Sequence, residues 1–310
     1  INILSGLQRN GAIVEEPPGG TFSFQVYQTG SSGIWLAAVA QGGLPADRVW
    51  WPMTLAQDAA VNGGNVVVGA LLVDADAQTA AGFQLLDSHL ILLHLFLGYS
   101  SHVATGLDPR LFQVNAIRKD ATHFYILGQE LDPPVDPAVG EPSYLAGDLA
   151  TLRTHRSYTR IARVPLAQLT TVASWQFWSG TAWVAGLANA ARLVDVDGTP
   201  VNGPGCIHLT PDGRWIFAAM ALGDTHLDVY DADAPQGPWR RHARVPVPTA
   251  GKPAEGGIEV GWHTKIVGHL AAPAEHSIVS LTMAVLNLAG TGQGINIRRT
   301  CPQHVAIPWY

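Results

Sequence analysis

The sequence predicts an all-β chain, and three observations carry that expectation. Helical periodicity is scarce along the 310 residues. Short runs rich in Val, Ile, Leu, Phe, Trp and Thr recur instead, at 21–27, 34–39, 65–73, 90–95, 112–117, 123–127, 158–164, 214–219, 227–230, 263–270 and 278–286. Turn residues separate the runs, among them Asn62-Gly63-Gly64, Pro211-Asp212-Gly213 and Pro235-Gln236-Gly237.

The runs fall into groups of three or four, which is the grouping of propeller blades. One blade takes 54–61, 65–73 and 83–95; the next takes 112–117, 123–127 and 158–164 and closes with 175–178. Two more begin near Cys206 and His263. The expectation is a five-bladed β-propeller forming a single domain over residues 1–310, since all-β folds of this kind exceed the usual domain length as one unit. The Pro- and acid-rich stretch 131–147 reads as a loop inserted in a blade. Arg163-Val164-Pro165-Leu166 and Arg244-Val245-Pro246-Val247 match each other and place proline at outer strands, where a missing N–H costs nothing.

Composition narrows the function. Hydrophobic residues make up 47% and charged residues 14%, enough apolar material for a large core. The net charge of -6, with no basic run, argues against a nucleic-acid partner. The most apolar stretch, 85–97, contains Asp87, Ser88, His89 and His94 and is too short to span a bilayer, so no membrane partner is expected. Cys206 and Cys301 form either one bridge or two separate buried thiols. The chain opens on Ile1 rather than Met, which leaves room for a preceding signal peptide and for secretion. Scattered His and Asp without tight spacing point to no metal, and no phosphate loop or nucleophile elbow is present; no cofactor is expected.

In a propeller the first strand of each blade lines the central channel, so polar residues near its start face a ligand. That rule selects Trp51, Met53 and Thr54, Gln113 and Asn115, His208, and His263 with Lys265. His263 and His208 are candidate acid–base groups because imidazole titrates near neutrality. Lys265 stands two residues from His263, on the same face of a strand. Trp51 is the candidate stacking face, while Trp50, Trp175, Trp178, Trp183 and Trp262 read mainly as packing between blades. The carboxylates to weigh are Asp58, Asp87, Asp224 and Glu259, with Asp58 the candidate catalytic acid.

Trp50-Trp51-Pro52, the stretch from Tyr158 to Trp183 with its Arg-Val-Pro-Leu and Trp-Gln-Phe-Trp, and Pro235 to Trp239 together resemble a group of actinobacterial five-bladed propellers that includes mycobacterial endo-D-arabinanases. His269 and Asn287 stand near a His and an Asn of that group's last blade. The resemblance implies a carbohydrate-active propeller, a glycoside hydrolase acting on arabinofuranose-type glycans, with a first inner strand ahead of Ile1. Where the group follows Trp-Pro with Gly-Asp, this chain has Met53-Thr54. Two other functions stay open: a non-hydrolytic cyclase or isomerase acting on an apolar metabolite, and a glycan-binding module without catalysis. The ligand expected is a glycan or another small molecule.

Overall fold

The computed structural model describes residues 12–14, 25–27, 48–57, 66–74, 84–94, 99–132, 156–201, 203, 205–220, 226–246, 258–270, 276–287 and 296–308. Four antiparallel sheets follow one another along the chain. The first holds β3 (Arg48–Gln57), β4 (Val66–Asp74), β5 (Gln84–His94) and β6 (Tyr99–Ala104). The second holds β7 (Gln113–Lys119), β8 (His123–Asp132), β9 (Arg156–Pro165), β10 (Gln176–Trp178) and β11 (Trp183–Ala185). The third holds β12 (Gly205–Leu209), β13 (Trp215–Ala219), β14 (His226–Ala232) and β15 (Arg240–Pro246), and the fourth β16 (Ile258–Leu270), β17 (His276–Asn287) and β18 (Asn296–Pro308). A short hairpin of β1 (Ala12–Val14) and β2 (Gln25–Tyr27) precedes them.

Each strand pairs with its sequence neighbour, so every sheet is an up-and-down meander. The first strands are neighbours in turn: β3 packs against β7, β7 against β12, and β12 against β16. Successive sheets thus stack against one another through their first strands. The grouping read from the sequence matches these four sheets, and the turn at Pro211–Gly213 closes on a Gly213 N–H to Thr210 C=O bond of 3.0 Å.

Stacking explains why the central strands are apolar without alternation. Phe124 and Ile126 of β8 join Val67 and Leu90 of the first sheet in one cluster; Tyr125 and Leu127 join Trp215 and Phe217 of the third in another. A strand buried on both faces reads as a continuous hydrophobic run rather than an alternating one. The indole of Trp175 is buried and donates to Leu169 C=O at 2.9 Å, and its ring meets Phe112 edge-on at 6.4 Å, which makes it a packing residue.

Two details differ from the sequence reading. β8 continues through Asp132, so Leu131 and Asp132 pair with Ser157 and Arg156 rather than opening a loop; the rest of 131–147 lies outside the described residues. β9 is the middle strand of its sheet, not an outer one. Proline is tolerated at Pro165 because β10 pairs with β9 only at Ala162 and Arg163, leaving that end unpartnered on one side. Cys206 is buried in β12. The expected strand 34–39 and the turn at Asn62-Gly63-Gly64 lie outside the described residues.

Gly128 permits the closest approach in the second sheet. A Cβ there would stand 2.3 Å from the ring of Phe112, which is fully buried. Gly128→Ala is therefore expected to cost roughly 1–3 kcal/mol in urea unfolding. The double variant with Phe112→Leu should recover part of that loss, because the two side chains compete for one space.

Candidate functional site

The first strand of a stacked sheet has a free edge, and its outward N–H groups need acceptors. In β7 side chains of the first sheet provide them. Ile117 N–H donates to Thr54 Oγ1 and Val114 N–H to Ser88 Oγ, each at 3.3 Å. On its other side Asn115 Nδ2 donates to Gly205 C=O of β12 at 2.6 Å. These bonds hold β3, β7 and β12 at one level.

Two β-bulges lie at that level. The β3–β4 register skips Met53, between Pro52 opposite Ala70 and Thr54 opposite Gly69. The β7–β8 register skips Asn115, between Val114 opposite Gly128 and Ala116 opposite Leu127. A bulge leaves one residue out of the ladder and re-aims its side chain, and bulges concentrate beside functional sites. β16 has two register shifts of its own, skipping Trp262 and Val267, and further shifts lie in the β4–β5, β14–β15 and β17–β18 pairings.

The sequence-selected residues divide accordingly. Met53 and Thr54 lie on β3, and Gln113 and Asn115 on the adjacent β7; Thr54, Gln113 and Asn115 are each 5% exposed, and Met53 is half-buried. Trp51 lies two residues before the β3 bulge, opposite Leu71. Gln113 opens β7 opposite Gln129, and its Nε2 is buried with no hydrogen-bond partner among the described residues. His208 is half-buried opposite Ile216, three residues beyond Gly205, so about 10 Å further along β12 at ~3.3 Å per residue. His263 and Lys265 lie in β16 opposite Thr282 and Ser280. Asp58 and Asp224 lie outside the described residues, and Glu259 lies in β16 opposite Val285.

The described carboxylates that are buried or partly buried have committed partners. Asp87 Oδ2 lies 3.2 Å from His89 Nε2, Asp120 Oδ2 accepts from the Tyr125 hydroxyl at 2.8 Å, and Asp231 pairs with Arg240 at 2.8 Å. The Arg110 hydrogen bond to Asp108, at 2.8 Å from Nε, holds that carboxyl below its ordinary range. Burial and the Asp120 hydrogen bond together push the Tyr125 phenol up. Among the described residues no group of three or more His, Cys, Asp or Glu is placed to hold a metal ion, and no helix is long and apolar enough to cross a membrane.

Sequence reasoning missed one cluster. Glu130, buried near the C-terminal end of β8, accepts from Arg160 Nε at 2.9 Å and from Arg192 Nη2 and Nε at 3.0 Å. Arg192 also stacks over the Tyr158 ring at 3.9 Å, and Arg160 reaches Ala190 C=O. The three charges come from segments up to 62 residues apart, so no local motif announces them. Burial alone would raise the Glu130 carboxyl, but the Arg192 and Arg160 hydrogen bonds and charges outweigh it and hold it below the ordinary range.

No family model matches the chain, and no curated protein matches it. Solved structures it resembles include a levansucrase from Bacillus subtilis, with 8% identity, a TM-score of 0.41 and coverage of 85% of this chain and 67% of that one. An exo-β-1,3-galactanase from Phanerochaete chrysosporium has 11% identity and a TM-score of 0.41, over 93% of this chain and half, 50%, of the galactanase. A family 117 glycoside hydrolase from the marine bacterium Zobellia galactanivorans has 11% identity and a TM-score of 0.39, over 82% and 75%. All three are sugar-processing enzymes of low identity to this chain.

Glu130 yields a test with a definite sign. A carboxyl whose folded-state pKa is depressed contributes stability in full above its unfolded value, near 4.3 for glutamate, and loses it as pH falls through the lower folded value. Glu130→Gln leaves two guanidiniums without their carboxylate and should cost on the order of 3 kcal/mol at pH 7. The gap from wild type should narrow as urea unfolding is repeated at progressively lower pH.

Proposed function

We propose that the four sheets are blades of a single-domain, five-bladed propeller whose first strands line a central funnel, and that the funnel takes a glycan of the arabinofuranose type. One observation supports the reading: the adjacent first strands β3 and β7 both bulge, at Met53 and at Asn115, and both carry buried polar side chains, Thr54 on one and Gln113 and Asn115 on the other. Neutral hydrogen-bonding side chains on adjacent strands, with Trp51 three residues before Thr54 in β3, fit a sugar ligand, whose hydroxyls are matched by amides and whose ring face is matched by an indole. In this reading Trp51, Met53, Thr54, Gln113, Asn115 and Lys265 contact the glycan. His263 and Asp58 exchange protons with the glycosidic oxygen and water, with His208 further along the funnel. The whole activity is that of a glycoside hydrolase.

A second reading has its own support. Glycoside hydrolysis generally uses two carboxyl groups flanking the scissile bond. Strands β3, β7 and β12 contain no Asp or Glu at all, and their polar residues at the bulges are amides and a hydroxyl. That composition favours a glycan-binding module without catalysis.

Incubation with arabinofuranose oligomers, with reducing-end release and calorimetric binding followed together, separates the two. For a hydrolase, His263→Ala and Asp58→Asn should each lower kcat/KM by about 10²-fold or more, and Trp51→Ala should weaken binding. Binding without release selects the module. Neither binding nor release rejects the glycan and turns attention to apolar metabolites.

A further inference from the structure

Gln113 and Asn115 are two residues apart at the entry to β7, with the bulge at Asn115. Both are amides, and both are 5% exposed. Their uses differ. Asn115 Nδ2 is spent on Gly205 C=O at 2.6 Å and ties the second sheet to the third. Gln113 Nε2 is as deeply buried and has no hydrogen-bond partner among the described residues. A buried amide donor left without an acceptor costs the fold about 1–3 kcal/mol, and an apolar side chain of similar size would avoid that cost.

The neighbours of Gln113 show that this level of the fold satisfies its polar groups elsewhere. Val114 N–H has Ser88 Oγ and Ile117 N–H has Thr54 Oγ1. The unspent donor therefore stands out at the bulged end of β7, where the glycan reading places its ligand. We propose that Gln113 is a specificity-determining residue of this site, its amide N–H reserved for an acceptor oxygen of a neutral glycan, a hydroxyl or ring oxygen. The proposal rests on the glycan reading above. It distinguishes Gln113, whose donor has no partner among the described residues, from Asn115, whose Nδ2 is bound to Gly205 C=O, although the two look equivalent in sequence.

Physics separates recognition from structure by sign. A side chain that holds the fold together lowers stability when replaced. A donor unsatisfied in the unliganded protein does the opposite, because its replacement by an apolar isostere removes a desolvation cost. Gln113→Leu and Gln113→Met, two shapes so that one misfit does not decide the matter, should keep or raise the thermal midpoint, by up to a few degrees. Both should weaken binding of arabinofuranose oligomers about tenfold or more in calorimetry.

Wild-type binding with that loss and an unchanged or higher midpoint supports the proposal. Equal binding by wild type and both variants overturns it and leaves the glycan reading standing. Weaker binding with a lower midpoint in both variants assigns Gln113 to structure and overturns it as well. No binding by the wild type overturns the glycan reading itself, and this assignment with it.

Discussion

The free edge of β7 is the constraint on which the rest of the described structure depends. A first strand pairs on one side only, and its other row of backbone groups is buried between neighbouring sheets rather than exposed to water. Thr54 Oγ1 and Ser88 Oγ accept from Ile117 and Val114 on the side of the first sheet, and Asn115 reaches Gly205 on the side of the third. Each of these side chains is buried or drawn into the sheet interface, so each bond is made in a medium of low dielectric, where it is strong when formed and costly when missing. They set the relative height of three successive sheets.

Close packing follows from that height. Gly69, opposite Thr54, has no room for a Cβ, which would lie 2.6 Å from Val114 Cγ1 and 2.8 Å from Thr54 Cγ2. The first two sheets thus meet with a glycine where a side chain would hold them apart, and Thr54 comes within reach of β7. The same approach makes the bulges at Met53 and Asn115 neighbours. Local irregularity, cross-sheet hydrogen bonding and side-chain size therefore agree at one place, which is how a rigid scaffold pre-orders a small set of polar groups.

Charge is held on the neighbouring strands of the second sheet at the same end, since Gln129, which pairs with Gln113, directly precedes Glu130. The most elaborate ionic arrangement, Glu130 between Arg160 and Arg192, sits on β8 and β9 and their flanking segment. Removing charge from water is repaid there by bidentate geometry and by stacking of Arg192 on Tyr158. The bulges of β3 and β7 themselves carry neutral side chains, Met53 beside Thr54 and Asn115.

Strand content and sheet grouping were legible in the sequence, because burial on both faces writes itself as unbroken apolar runs such as Phe124 to Leu127 and turns announce themselves with Gly, Pro and Asp. The rule that polar residues near the start of inner strands matter also selected Thr54, Gln113 and Asn115 together. It misjudged the stretch after Glu130, since proline and acid content there hid the last two residues of β8. Sequence alone determined which residues were polar in an apolar setting. Only the tertiary structure decided what each does: Asn115 and Thr54 spend their hydrogen bonds on neighbouring sheets, Gln113 keeps a buried donor, and Glu130 finds arginines 30 and 62 residues away. Partners across sheets are fixed by stacking distance and register, quantities that no local pattern of residues contains.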